Sequence, residues 1–401
     1  MRLTEQIIIP TEYFNEIDNI SFLSKNLFNA SLYEIRQHFF QTEKFIGYCN
    51  LDKLMKNNPD YVALPRKISQ QVLQQVCKSF ISFFRALGSY KKNPEKFLGR
   101  PGICHYLEKK EGRNLLIYTD QAFSRVKIKE NIISPSGTNL EIKIRDHIKK
   151  INQVRIVPKQ TESIYIMEVI YEIEPDNLDL DKNRKIGIDL GVNNLLAITS
   201  DKQGMTPILV NGRPIKSINQ WFNKTRSFYQ TLGMTDCKKL RKLSRKRRLK
   251  IRHYFHNVSR RLIDYCIHNN IGTIIIGKND FWKQEVNLKS RTNQNFVSIP
   301  FNNLIEMIKY KAELVGIDVI ETEESYTSKT SFIDLESMEY HENYNGYRKN
   351  RGMFKSTKSQ REINADINGS YNIIRKVFPE TFGEGIEGFV VIPKVWKFSH
   401  F

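Results

Sequence analysis

The sequence is short of cysteine, of long apolar runs and of acidic charge. Its five cysteines, Cys49, Cys77, Cys104, Cys237 and Cys266, are scattered, and no two form a CxxC pair. This argues against a disulfide framework and a cysteine-based zinc site, and it suits a reducing compartment. No apolar run approaches the ~18 residues of a membrane span. Met1 to Pro10 lacks the basic-then-apolar pattern of a secretion signal, and there is no low-complexity segment or short repeat. Asp and Glu number 43 against 63 Lys and Arg, giving a formal net charge of +20 and a pI of about 9.6. That excess favours a polyanionic partner, either nucleic acid or an acidic membrane surface. The length of 401 residues allows two or three domains.

What is present changes character along the chain. Gln6 to Ile9 reads as a short strand ending at Pro10. Phe22, Leu23, Leu27, Phe28, Leu32 and Ile35, and then Ile68, Val72, Leu73, Val76, Phe80, Phe83 and Phe84, recur at helical spacing. Residues 21–95 are therefore expected to form a helical bundle, with a proline-bearing connection from Asn57 to Arg66. From residue 96 to 180 the pattern is of short strands: Asn114–Tyr118, Val126–Ile128, Asn131–Ser134, Leu140–Ile144, Gln153–Val157 and Ser163–Tyr171. With residues 1–20 they suggest a small barrel or sandwich into which the helices are inserted. Pro175 to Asn183 reads as a linker.

The stretch Lys185 to Thr199 reads as strand, glycine turn and strand. Its first strand is mostly apolar, as when both faces of a sheet are covered, but Asp189 interrupts it. An ionised carboxylate there is costly without a compensating cation. A plainer account is an ordinary hairpin with an edge Asp. A weaker strand at Ile208–Val210 follows, then a long helical region at about 216–268, a strand at Thr273–Ile276, a helix at Leu304–Leu314 and a strand at Ile317–Thr322. The order β-β-β-α-β-α-β suits an RNase H-like α/β sheet, with three antiparallel strands and parallel additions.

Two later acidic places have the order such a site needs. One is Glu321-Thr-Glu323-Glu324, at the exit of the last strand. The other is Asp366, where a helix begins. Three carboxylates brought to one sheet edge would repel one another without metal. Two Mg²⁺ ions roughly 4 Å apart would neutralise them, activate water and stabilise the leaving oxygen of a phosphodiester. Taken singly, Glu323 and Glu324 also suit a surface pair, and Asp366 an N-cap.

The strongest charge feature is the acid-free run of Lys238, Lys239, Arg241, Lys242, Arg245, Lys246, Arg247, Arg248, Lys250 and Arg252. Like charges at i,i+4 disfavour an isolated helix. A phosphate backbone alongside would relieve them, so these ten residues are candidate nucleic-acid contacts; a solvated basic face is the alternative.

Gly187-Ile-Asp-Leu-Gly-Val-Asn-Asn194, Ile276-Gly-Lys-Asn279 with Trp282-Lys283-Gln284, Glu324-Ser-Tyr-Thr-Ser-Lys329 and Asn364-Ala-Asp-Ile-Asn-Gly369 together resemble the TnpB (OrfB-type) proteins of insertion sequences, relatives of the type V CRISPR effectors. The resemblance covers the C-terminal half and fits the layout of the N-terminal half. It implies a RuvC-like nuclease domain over 184–401, a wedge-like β-barrel from 1–20 plus 96–180, and a helical recognition lobe at 21–95. It also implies an RNA-guided DNA endonuclease, with a transposon-derived guide RNA and a double-stranded DNA target beside a short motif. Base pairing would supply most of its specificity. The location it implies is the bacterial cytoplasm, at the nucleoid, with no membrane partner.

The sequence departs from the family pattern twice. Many members carry the second catalytic Glu at the end of the strand that here reads Thr273–Ile276, where this chain has Gly277. The expected metal ligands and catalytic acids are therefore Asp189, a relocated Glu324 and Asp366, with Glu323 as second choice and Asp280 as third. The alternative is a nuclease-inactive, guided DNA-binding repressor. The second departure is the zinc ribbon, whose CxxC pairs are missing after Cys266. No structural zinc is expected, and residues 325–362 are expected to form a zinc-free loop.

Overall fold

The computed structural model describes residues 1–278, 297–350, 352–383 and 385–398. Two units are distinct, Met1–Ile173 and Glu174–Phe401.

In the first unit, β1 (Arg2–Ile8) is followed by α1 (Phe14–Thr42), α2 (Tyr48–Met55), α3 (Pro59–Val62) and α4 (Arg66–Lys92). Then come β2 (Leu116–Thr119), α5 (Arg125–Lys129), β3 (Ile132–Ile133), β4 (Ile142–Lys143), β5 (Lys150–Lys159) and β6 (Ile164–Glu172). The helical insertion is thus bracketed by strands of one sheet. Ile17, Leu27, Leu32 and Ile35 of α1 pack with Ile68, Val72, Leu73, Val76 and Phe80 of α4 in a core shared with β2, β5 and β6. The amphipathic spacing in the sequence is the cause of that packing.

Two expectations are corrected here. The strands form an antiparallel sheet in the order β1-β6-β5-β2 and a separate β3-β4 ribbon. Among the described residues no pairing joins β1 to β2, so the sheet stays open where a closed barrel was expected. Val126–Ile128 is helical, because Ser124 caps the first turn of α5 by accepting from Lys127 N–H.

In the second unit, β7 (Lys185–Leu190), β8 (Asn194–Ser200) and β9 (Ile208–Asn211) precede α6 (Arg213–Thr231) and α7 (Lys238–His268). The long helical region is therefore a two-helix hairpin, turned through Gly233 at φ 73°. After it come β10 (Thr273–Gly277), α8 (Phe301–Glu313), β11 (Asp318–Thr322), β12 (Gly346–Asn350), β13 (Met353–Ser356), β14 (Glu362–Asn364), α9 (Ala365–Val377) and β15 (Lys394–Trp396). The main sheet runs β11-β10-β7-β8-β9-β15. β10 is parallel to both β7 and β11, while β7, β8 and β9 are antiparallel. The edge strand β15, parallel to β9, is too short to stand out in the sequence.

Both faces of this sheet are covered, which is why its strands read as apolar runs. Ile186, Ile188, Leu190, Ile274 and Ile276 share a core with α7 and α8. The alternate residues Ala197, Leu209 and Ile275 share another with Ile367, Tyr371, Ile373 and Ile374 of α9. By the two-residue period of a strand, Gly187 and Asp189 face α9 as well. No helix among the described residues is long and apolar enough to cross a membrane.

Candidate functional site: a carboxylate cluster between the sheet and helix α9

Asp189 lies near the end of β7, in the middle of the sheet, opposite Ala197 of β8. Helix α9 comes unusually close to this strand. A Cβ built on Gly187 would stand 2.3 Å from the Ser370 carbonyl oxygen, and one on Gly369 would stand 2.8 Å from Asp189 Oδ2. Ser370 Oγ donates to the Gly187 carbonyl at 2.8 Å and lies 3.0 Å from Thr199 Oγ1. Small residues at 369 and 370 thus seat the helix on the strands and leave the Asp189 carboxylate lying against it.

Asp366 occupies the first turn of α9. It is not the N-cap. Asn364 takes that role, accepting from the Asp366 and Ile367 N–H groups at 3.0 and 3.2 Å. The Asp366 side chain is left to point at the sheet, where Asn194 Nδ2 donates to its Oδ2 at 2.8 Å. Nothing local in the sequence marks this hydrogen bond, which joins residues 172 positions apart.

Glu324 follows β11 by two residues, and its carboxylate folds back over the end of β10. A Cβ on Gly277 would meet Glu324 Oε1 at 2.7 Å and its Cγ at 2.8 Å. The space into which a side chain at 277 would project is filled by Glu324 together with Ile373 of α9, whose Cδ1 stands 2.5 Å from that Cβ. Adjacent strands lie about 4.8 Å apart, a gap that the length of a Glu side chain spans. Glu323, by contrast, is exposed and accepts a hydrogen bond from Ser325 Oγ. Glu321 is engaged elsewhere. Burial alone would raise it, but the ammonium groups of Lys278, at 2.8 Å, and Lys309 hold its carboxyl below the ordinary range. Asp280, Trp282, Lys283 and Gln284 lie outside the described residues.

The electrostatics link the three acids. Enclosure pushes the Asp189 carboxyl well above the usual carboxylate range; the negative charges of Glu324 and Asp366 add to this, and Arg348 on β12 opposes it. Burial likewise raises Glu324, against the pull of Lys376 on α9. Lys376 Nζ is anchored by donating to the Ser325 carbonyl at 3.0 Å. Negative charge here is thus under-compensated by the protein. Among the described residues no three His, Cys, Asp or Glu side chains converge tightly enough to hold an ion as they stand. The donor chemistry nevertheless fits a hard divalent cation, being all carboxylate oxygen, and the two glycines leave the cavity that the carboxylates occupy.

The segment between Glu324 and Asp366 contains a small antiparallel sheet, β12-β13-β14, where the sequence suggested a plain loop. Carboxylates tie it together. Glu336 accepts from the Ser331 and Asn345 N–H groups at 2.8 and 2.7 Å, and Asp334 accepts from Ser331 Oγ and Ser356 Oγ at 2.6 and 2.9 Å. Phe332 stacks on Tyr371 of α9 with ring centroids 4.2 Å apart.

The ten basic residues of α7 divide into groups. Lys238, Lys239, Lys242 and Lys246 are exposed; Arg245, Arg248, Lys250 and Arg252 are half-buried. Arg241 pairs with Asp236, its Nε 2.8 Å from the carboxylate. Arg247 is committed inward. Its Nε donates to Asn219 Oδ1 at 2.7 Å, its Nη2 donates to the Ser298 carbonyl at 2.8 Å, and its guanidinium lies over Phe222. It fastens α7 to α6 and cannot serve as a free phosphate contact.

Residues 168–282 match the OrfB_IS605 family, described as a probable transposase, and residues 301–373 match the TNB domain of Cas12f1-like proteins. Over 394 residues the chain is 24% identical to the TnpB-like protein ORF457 of Acidianus two-tailed virus, spanning 88% of this chain and 81% of that protein. The chain thus resembles TnpB-like proteins of the OrfB type. It is also 25% identical over 239 residues to the CRISPR-associated endodeoxyribonuclease Cas12f2 of Micrarchaeota archaeon (strain CG1_02_47_40), covering 54% of this chain and 41% of that protein. Among solved structures, a Cas12f1–sgRNA–target DNA complex aligns with a TM-score of 0.39 at 15% identity, over 92% of this chain and 98% of that one. The mini-RNA-guided endonuclease CRISPR-Cas_phi3 aligns with a TM-score of 0.45 at 10% identity, over 94% and 92%.

Proposed function

We propose that this TnpB-like chain is an RNA-guided DNA endonuclease that hydrolyses target phosphodiesters at the Asp189–Glu324–Asp366 cluster. The observation that carries the reading is the Glu324 carboxylate filling the space above Gly277. It accounts for the missing acid on β10 without a missing function.

Asp189, Glu324 and Asp366 are the groups that would hold Mg²⁺. Bound there, two ions would supply an activated water and stabilisation of the leaving oxygen. The protein's own contribution is placement. Asn194 fixes one Asp366 oxygen and leaves the other available. Gly369 lets Asp189 lie against the helix, and Lys376 steadies the turn that carries Glu324. Arg348 brings a cation to the same edge, suited to a scissile phosphate. The guide would be a transposon-derived RNA, and the exposed cations of α7 would follow a phosphate backbone.

The test is to co-purify the protein with RNA from its native locus. The complex is then incubated with a target plasmid carrying randomised flanks, in Mg²⁺ and in chelator. Asp189→Ala and Glu324→Ala should abolish cutting and leave RNA-dependent DNA binding nearly unchanged, whereas Glu323→Ala should cut. Normal cutting by Glu324→Ala would remove it from the site. RNA-dependent binding with no cutting by the wild type would move the reading to a guided repressor, which Gly277 alone would favour.

A further inference from the structure

We infer that the outer face of α6 is a stacking platform for unpaired nucleobases, so that the α6–α7 hairpin engages a single strand as well as a phosphate backbone. The inference rests on the nucleic-acid-binding part of the reading above and not on the carboxylates.

Helix α6 buries Ile215 and Asn219 and rests Phe222 against Arg247 of α7. The residues on its opposite side should be polar. Instead Trp221 is 50% exposed and Phe228 58% exposed, and Leu232, just past the helix end, is 55% exposed. At 100° per residue, Trp221, Lys224, Phe228 and Leu232 fall on one stripe. Isolated exposed aromatics are common on protein surfaces and mean little. Two on one stripe, on an element without acids, are a different matter: the sequence from Arg213 to Thr231 contains no Asp or Glu, nor does that from Lys238 to Arg252.

Cations are interleaved with the rings. Lys224 lies on the stripe between the aromatics and is exposed. Lys246 of α7 brings its ammonium to 5.9 Å from the Trp221 ring centroid. A dry protein interface would have to bury these ammonium groups at a cost. A nucleic-acid strand would supply phosphates to the cations and base faces to the rings, the combination that single-strand binders use. A closed duplex keeps its base faces inside the stack and has nothing to offer Trp221 and Phe228. The partner that uses all of these groups is therefore an unpaired strand of RNA or DNA.

The full-length protein, freed of co-purified RNA and kept in chelator so that no cleavage occurs, is titrated with a labelled random-sequence single strand, as RNA and as DNA, and with a duplex of the same length. Trp221→Ala and Phe228→Ala should each weaken single-strand binding roughly ten-fold. The slope of log affinity against log salt should not change, because no phosphate contact is lost. Duplex binding should hardly move, and Trp221→Phe should recover most of the loss. Both positions are exposed, so thermal melts of the variants should overlay the wild type. Unchanged single-strand affinity in both arms would overturn the inference, as would an equal loss on the duplex. So would conversion of a self-associating protein to monomer by either substitution in sedimentation, which would make the stripe a contact between copies. Because cleavage is not scored, an inactive nuclease would leave this result standing, and a failed platform would leave the carboxylate site standing.

Discussion

At the scale of single residues, two glycines decide what the carboxylates can do. Gly369 sits inside α9, where alanine would favour the helix by about 1 kcal/mol. A methyl group there would nevertheless press on Asp189 Oδ2. Gly369→Ala should therefore leave the melting temperature near that of the wild type while cutting cleavage at least roughly ten-fold, the effect of a small misplacement of a reacting group. Parallel loss of stability and cleavage would point instead to disrupted packing. The prominence of Asp189 and Asp366 could be read in the sequence because a lone acid in an apolar strand and an acid at a helix start are local signals. Glu324 could be nominated for the same reason, but its choice over Glu323 and Glu321 needed three dimensions. Glu323 is turned to solvent, Glu321 is engaged by two lysines, and the carboxylate over Gly277, beside Ile373, is that of Glu324. Asn194 and Arg348 escaped the sequence because their relevance lies in contacts across more than a hundred residues.

At the scale of elements, α7 shows how a charge run can hide two purposes. Its ten cations look equivalent in sequence, yet Arg247 is half-buried and burial pulls its guanidinium pKa down. Lysine cannot reproduce its two-pronged contact with Asn219 and Ser298. Arg247→Lys should cost about 2 kcal/mol, read as a fall of several degrees in melting temperature, while Lys242→Gln should cost almost nothing. Equal melting temperatures would deny Arg247 its fastening role. A second half-buried cation joins α7 to α8: Lys311 Nζ donates to the His256 carbonyl at 2.9 Å and to Ser259 Oγ at 2.7 Å. Burial, with a contribution from Arg260 and against Asp264, lowers its pKa to about 8. The unfolded chain then binds more protons than the native one between about pH 8 and 10.4, so this group makes the protein more stable as pH rises through that window. In denaturant melts across it, the stability of the wild type relative to that of Lys311→Met should rise with pH.

At the scale of the whole molecule, the net charge of +20 and the exposed lysines of α7 set how binding responds to salt. Replacing Lys238, Lys239, Lys242 and Lys246 with Gln should flatten the log–log salt slope by about 3, if each meets one phosphate. An unchanged slope would make this a solvated face. Topology was legible here because the main sheet alternates runs of unlike period, short apolar strands and long amphipathic helices. Closure of the N-terminal sheet was not, since the register that would join β1 to β2 leaves no mark in composition. The segment tied by Glu336 and Asp334 has a further consequence. Its cross-links are hydrogen bonds to carboxylates, and it contains no cysteine. A thiol-specific alkylating reagent therefore has nothing to attack there, and the segment should hold its shape when exposed Cys49 in the other unit is modified.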